Sequence, residues 1–266
     1  MTLSVKSLYR LLTWLDNYQI GGVNRSLNNP TEITEFRKLN EAAVRNLKRA
    51  EEVFEHQREF IGNASHEMQT PLAVCSNRLE TLMEDESLSE QQLTELAKTH
   101  QTLEYLSKLN KTLLLLSKID NNQFLNKTEL NINSLVSKIS QDYAEVYAYK
   151  NISLEIKELG QLQVVMDETI AGVLINNLLK NSYVHNAAGG AVVIEVYTSK
   201  LIIMNTSDYA ALDSDLIFDR FYQGTKKEGS TGLGLALISS IVKAENLRIN
   251  YFYRNDMHGF EINFKK

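Results

Sequence analysis

Between residues 33 and 82, mostly apolar or small side chains recur at steps of three and four. The series runs Ile33, Phe36, Asn40, Ala43, Leu47, Ala50, Phe54, Gln57, Ile61, Ala64, Met68, Leu72, Cys75, Leu79 and Leu82. A helix turning ~100° per residue gathers such positions into one seam, and so long a seam must be buried against another helix. Asn28-Asn29-Pro30-Thr31 is a break, and the spacing predicts one helix of about 50 residues from Thr31, with Thr31 as cap and Glu32 in the first turn. After the charged break Glu84 to Ser87, Ser89 and Gln92 stand at capping-box spacing. A second helix is expected beyond them, carrying Leu93, Leu96, His100, Leu103, Leu106, Leu109, Leu113 and Leu116 and ending near Asp120-Asn121-Asn122. Two helices joined by a short turn form an antiparallel hairpin with exposed seams. Two such hairpins bury them as a four-helix bundle, so a homodimer is expected.

Within the first helix lies F-I-G-N-A-S-H-E-M-Q-T-P-L, Phe60 to Leu72. His66 falls roughly 200° from both Ala64 and Met68, so its imidazole points away from the seam. A neutral imidazole held outside a packed helix is a nucleophile suited to phosphorus. Glu67 is placed to take the ring proton, and Thr70, about 40° from His66 and one turn on, to position a water or a phosphoryl group. Pro71 has no amide hydrogen and is expected to bend the helix there. His100, also within the repeat, is better read as a satisfied core or flank histidine.

The string resembles the phosphoacceptor box of sensor histidine kinases, whose common pattern is F-x-x-x-x-S-H-E-x-x-T-P-L; Gln69 stands where many members carry arginine. The resemblance implies phosphorylation of His66 and relay to an aspartate on the receiver domain of a response regulator. It also implies a role for the Thr70 hydroxyl in dephosphorylating that regulator. The segment from Pro30 to Ala43 resembles the second helix of a HAMP signal-relay module, which implies sensing and transmembrane segments in a longer parent. The expected organisation is therefore residues 1–30 unassigned, 31–59 a HAMP-like or signalling helix, 60–122 the dimerisation and phosphotransfer domain, and 128–266 a catalytic domain. In residues 1–30, Leu8, Leu11, Leu12, Leu15 and Tyr18 suit one face of a short helix ended by Gly21-Gly22.

After Asn122 the texture changes to alternating β-rich and helical stretches. Helices are predicted over Ile132–Tyr147, Glu168–Ser182 and Gly232–Glu245. Strands are predicted over Ile152–Glu158, Leu162–Met166, Ala191–Tyr197, Lys200–Met204, Leu247–Tyr253 and Gly259–Phe264. Helices gathered against a mostly antiparallel sheet make an α+β sandwich.

In N-N-L-L-K-N-S-Y-V-H-N, Asn176 to Asn186, the amides of Asn177 and Asn181 share a helix face. Their neighbours Leu174, Ile175, Leu178 and Leu179 are core residues, so two amides facing a polar cavity call for a ligand. Amide oxygen suits magnesium, which takes nucleotide phosphates as its other ligands. The stretch resembles the asparagine box of Bergerat-type (GHKL) ATP domains. That likeness implies Asn181 on Mg²⁺, with Asn177 and His185 near the phosphates of ATP. Gly229 to Leu235, G-S-T-G-L-G-L, opens a helix whose backbone amides, Gly232 and Gly234 among them, suit an anion. Phe218 to Tyr222 resembles the kinase phenylalanine box, and residues 223–231 its mobile ATP lid. Arg220 is suited either to face phosphate or to pair with a carboxylate. Where the family shows D-x-G-x-G, this chain has Asn205-Thr206-Ser207-Asp208-Tyr209, putting Asn205 at the adenine-reading position with an uncharged oxygen. Val184 stands where many members direct a basic residue at phosphate.

Of the 266 residues 43% are hydrophobic and 23% charged, which excludes a disordered chain, and a formal net charge of −5 gives no reason to expect nucleic acid. No run of about 18 apolar residues occurs, so a cytoplasmic location is expected for this chain, with membrane contact only through inner-membrane segments of its parent. Cys75, the one cysteine, is expected as a buried thiol in the seam. Two alternatives remain beside the kinase: a signalling dimer, non-catalytic or phosphatase-only, with a degenerate nucleotide pocket, and a Bergerat-fold ATPase of the gyrase or chaperone class.

Overall fold

The computed structural model describes residues 2–22, 24–120, 126–224 and 231–264. It divides into two compact units, Met1–Glu67 and Met68–Lys266. Among the described residues no helix is long and apolar enough to cross a membrane.

The first unit holds α1 (Thr2–Asp16) and the opening part of α2 (Thr34–Met83). Amide side chains fix the break before α2. Asn29 Nδ2 donates to the Ser7 carbonyl at 2.8 Å and to Asn40 Oδ1 at 3.1 Å, while Asn40 Nδ2 donates back to the Asn29 carbonyl at 3.0 Å. Trp14 Nε1 donates to the Arg25 carbonyl at 2.7 Å. α1 ends at Asp16, short of the expected Gly21-Gly22. α2 begins at Thr34 rather than Thr31, because Thr31 Oγ1 accepts the Ile33 amide in a turn outside the helix.

α2 then runs 50 residues, with Pro71 inside it but not ending it. In the second unit its C-terminal part pairs with α3 (Glu90–Asp120). The predicted capping box is present: Ser89 N donates to Gln92 Oε1 at 2.9 Å, and Gln92 N to Ser89 Oγ at 3.3 Å. His100 Nε2 meets Ser76 Oγ at 3.1 Å and Glu80 Oε1 at 3.0 Å, which makes it the satisfied flank histidine expected. On α2, Leu72, Ser76, Leu79 and Met83 are half-buried, while Met68, Cys75 and Leu82 are exposed. Cys75 therefore corrects the expectation of a buried thiol. The less exposed face of α2 keeps Leu72 and Leu79 of the seam, with Ser76 and Met83 beside them, and Cys75 lies off that face.

The rest of the second unit is an α+β sandwich. Strands β1 (Lys127–Asn131) and β3 (Gln163–Asp167) form an antiparallel pair. β2 (Ser153–Glu158), β4 (Ala191–Val196), β5 (Lys200–Thr206), β6 (Arg248–Arg254) and β7 (Met257–Asn263) form a sheet ordered β2-β4-β5-β7-β6. Only the β2–β4 pair is parallel. Helices α4 (Ile132–Val146), α5 (Glu168–Val184) and α6 (Gly234–Ala244) share a core with it. Alternation along β4 buries Val192, Ile194 and Val196 in one core with Val136 of α4, Leu174 and Leu178 of α5, and Ile238 of α6. Each such side chain contributes roughly 1.5–3 kcal/mol on burial. Polar caps set where the helices start: Asn131 Oδ1 accepts from Ser134 N at 3.3 Å, and Asp167 Oδ1 from Thr169 N at 2.9 Å. The last two turns of α3 join this core through Leu116 and Ile119.

Candidate nucleotide site and phosphoacceptor helix

On α5, Asn177, Lys180, Asn181 and Val184 recur at helical spacing on one face, and that face lines a cavity of about 440 Å³. This is the size of a small-molecule site. Asn177 Nδ2 donates to the Val173 carbonyl at 2.8 Å, which turns its Oδ1 away from the helix backbone. The start of α6 stands opposite. A Cβ added to Gly234 would lie 3.2 Å from Asn177 Oδ1 and 3.8 Å from Asn181 Oδ1, so the two amide oxygens converge on this helix terminus. Among the described residues no side chain caps α6, which leaves its first-turn amides for an anion.

Gly232 holds that terminus in place. Its φ is +66°, and a Cβ would sit 2.7 Å from the Phe221 backbone. Phe221 N donates to the Gly232 carbonyl at 2.9 Å, which stabilises Phe221 itself at φ +68°, unfavourable for a bulky residue. The phenylalanine and glycine stretches are thus one locked piece. Arg220 pairs with Asp120 of α3 at 3.3 Å, so of its two expected partners the carboxylate is the one present. Gln223, Gly224 and Thr231 line the cavity. Residues 225–230, including most of the expected lid and Gly229-Ser230, lie outside the described residues, as do Asn121 and Asn122.

At the other end Asn205 is only 4% exposed. Its Nδ2 donates to the Thr206 carbonyl at 2.9 Å, which leaves Oδ1 as an acceptor. Across the register lies His258 of β7. The Leu212 amide donates to Tyr251 Oη at 2.9 Å, Tyr251 Oη meets His258 Nδ1 at 2.7 Å, and His258 Nε2 meets the Tyr209 carbonyl at 3.2 Å. A carbonyl only accepts, so this chain assigns the proton to Nε2 and lets Nδ1 accept from Tyr251. Burial holds the imidazole below its usual pKa, opposed by the Tyr209 carbonyl.

The structure therefore brings Asn177, Asn181, His185, Asn205, Gly232 and Gly234 to one cavity, and leaves Arg220 off its lining. His66, Glu67 and Thr70 are all exposed on α2, directly after the buried Ser65. Among the contributors to the cavity wall that sequence reasoning missed are Lys180, His258, and Lys108 and Thr112 of α3. Lys180 was legible, since it lies three residues from Asn177 on the same face. His258 needed the β5–β7 register, and Lys108 and Thr112 the docking of α3. Burial, then the neighbouring Lys108 ammonium, push the Lys180 pKa down to about 8.

The donor set fits Mg²⁺ and a polyphosphate. Two neutral amide oxygens are hard donors. No described residue lining the cavity is a carboxylate. Among the described residues no group of three or more His, Cys, Asp or Glu could hold a metal alone, so an ion here would share phosphate oxygens.

Residues 56–122 match the His Kinase A (phospho-acceptor) domain. The sensor protein CutS of Streptomyces coelicolor is 30% identical over 219 residues, covering 77% of this chain and 51% of that protein. The sensor protein kinase WalK of Staphylococcus aureus is 29% identical over 225 residues, covering 78% and 53%. The chain thus spans about half the length of the curated relatives it matches. Among solved structures, full-length ShkA in complex with AMPPNP superposes with a TM-score of 0.62 at 17% identity, over 78% of this chain and 46% of that one. The histidine kinase AdeS of Acinetobacter baumannii gives 0.52 at 21% identity, over 76% and 98%. A phospho-acceptor hairpin that continues into this α+β domain, with sensor kinases as its relatives, places the chain in the sensor histidine kinase family.

Proposed function

We propose that the chain is the core of a protein histidine kinase that uses ATP to phosphorylate His66, and that the phosphoryl group then passes to an aspartate on a response regulator. The convergence of the Asn177 and Asn181 oxygens on the uncapped start of α6 carries this reading. It supplies hard oxygen donors and oriented amides at one point, as a polyphosphate with its cation requires. Asn181 would hold Mg²⁺, which offsets phosphate charge when bound. Asn205 Oδ1 would accept from the adenine amino group, with His185 near the phosphates.

In the transfer a ring nitrogen of His66 attacks the γ-phosphorus, and the bond from that phosphorus to the bridging oxygen breaks. ADP leaves with the electron pair, and Glu67 takes or holds the ring proton. Such transfers rest mainly on positioning and charge stabilisation. Thr70 would orient water against a phosphorylated regulator and give the protein phosphatase activity. A homodimer is the working form.

An ATPase of the gyrase or chaperone class needs a base to activate water, and no carboxylate stands among the described cavity residues. Counting ADP released per chain discriminates the readings. A single burst of one ADP per protomer, matched by one protein-bound phosphate, supports the kinase. Sustained release without bound phosphate contradicts it, and no release supports a decayed pocket.

A further inference from the structure

The geometry points to a phosphate grip shared by two domains, in which Lys108 of the phosphotransfer helix α3 and Lys180 of α5 together hold the terminal phosphates of the nucleotide. This rests on the nucleotide reading of the cavity.

Four observations support it. α3 sends Lys108 and Thr112, one helical turn apart, into the wall of the cavity that Asn177 and Asn181 line. The helix is anchored where it does so: Leu114, Leu116 and Ile119 are buried below these residues, and Asp120 is paired with Arg220. The Lys108 and Lys180 side chains are close enough to interact directly. No carboxylate stands among the described residues of the wall, so the side-chain charge it offers an entering anion is cationic. Finally, the next turn of α5 carries Val184, so cationic charge on this face of α5 comes from Lys180. A phosphate held this way would tie the catalytic domain to the helix it docks on.

The test is titration calorimetry on the full chain with ATP, ADP, AMP, adenosine and pyrophosphate. The proteins are the wild type, Lys108→Gln, Lys180→Gln and the arginine variants Lys108→Arg and Lys180→Arg. A charge-assisted hydrogen bond lost should weaken ATP binding by about 10- to 100-fold for each glutamine variant. Adenosine and AMP should change little, and arginine should restore most of the affinity. Pyrophosphate, which has no base, should bind the wild type and fail with either glutamine variant. Glutamine variants that lower ATP affinity no more than AMP affinity would overturn the shared grip and leave the nucleotide site standing. Failure of the wild type to bind ATP at all would overturn both.

Discussion

At residue scale His66, Glu67 and Thr70 are proposed to divide the chemistry. Glu67→Gln keeps size and hydrogen bonding but removes charge, so autophosphorylation should fall by about 10²–10⁴-fold, the usual worth of general-base help. Thr70→Ala should leave autophosphorylation unchanged and lose dephosphorylation of the regulator. A paired assay of both activities separates these roles, and autophosphorylation surviving intact in Glu67→Gln would reassign the proton. His258 supplies a stability effect of definite sign. Its folded pKa is depressed by burial, so the unfolded chain binds the proton more readily. Stability should therefore fall as pH drops through the unfolded value, about 6.5, and level off below the folded one. Melting curves between pH 7.5 and 5 should show this loss shrinking in His258→Gln, and an unchanged slope would place the titration elsewhere.

At element scale the two long helices were legible because their three-four seam and the Ser89–Gln92 box are local signals, and the structure has both. The later helices and strands follow predicted alternation to within a few residues. β1 was missed because Lys-Thr-Glu-Leu-Asn has no apolar rhythm; its pairing to β3 makes it a strand. The start of α2 shifted because Thr31 turns its hydroxyl to Ile33 instead of capping the helix. Of the candidate site, residues within one motif could be read directly. Lys108 and His258 could not, since helix docking and strand register bring them in from far along the chain. Gly232 tests how local signal and tertiary fit combine. Gly232→Ala would place a Cβ 2.7 Å from the Phe221 backbone at a φ that alanine resists. The start of α6 should shift, with ATP binding lost while the far-ultraviolet signature of sheet and helices remains. ATP affinity retained within a few-fold would show that this lock does not set the site.

At the scale of the whole molecule, the hairpin leaves part of its seam uncovered. Met68, Cys75 and Leu82 recur every seven residues on α2, with Met68 49% and Leu82 53% exposed, on a stripe beside the one that packs on α3. A stripe at heptad spacing is the pattern by which a second helix pair completes a bundle. Sedimentation equilibrium should find a dimer at micromolar concentration, and Met68→Glu combined with Leu82→Glu should shift it to monomer. A wild-type monomer would contradict the dimer.

ATP held in the cavity is proposed to phosphorylate His66. The most direct measurement is to incubate the chain with ATP and Mg²⁺ and map the phosphate by tandem mass spectrometry under alkaline conditions, which preserve phosphohistidine. The expected result is one phosphate per chain on His66, stable to base and labile to acid, absent in His66→Ala and in Asn181→Ala. Phosphate on a serine, threonine or other histidine, or full labelling of His66 in Asn181→Ala, would contradict it.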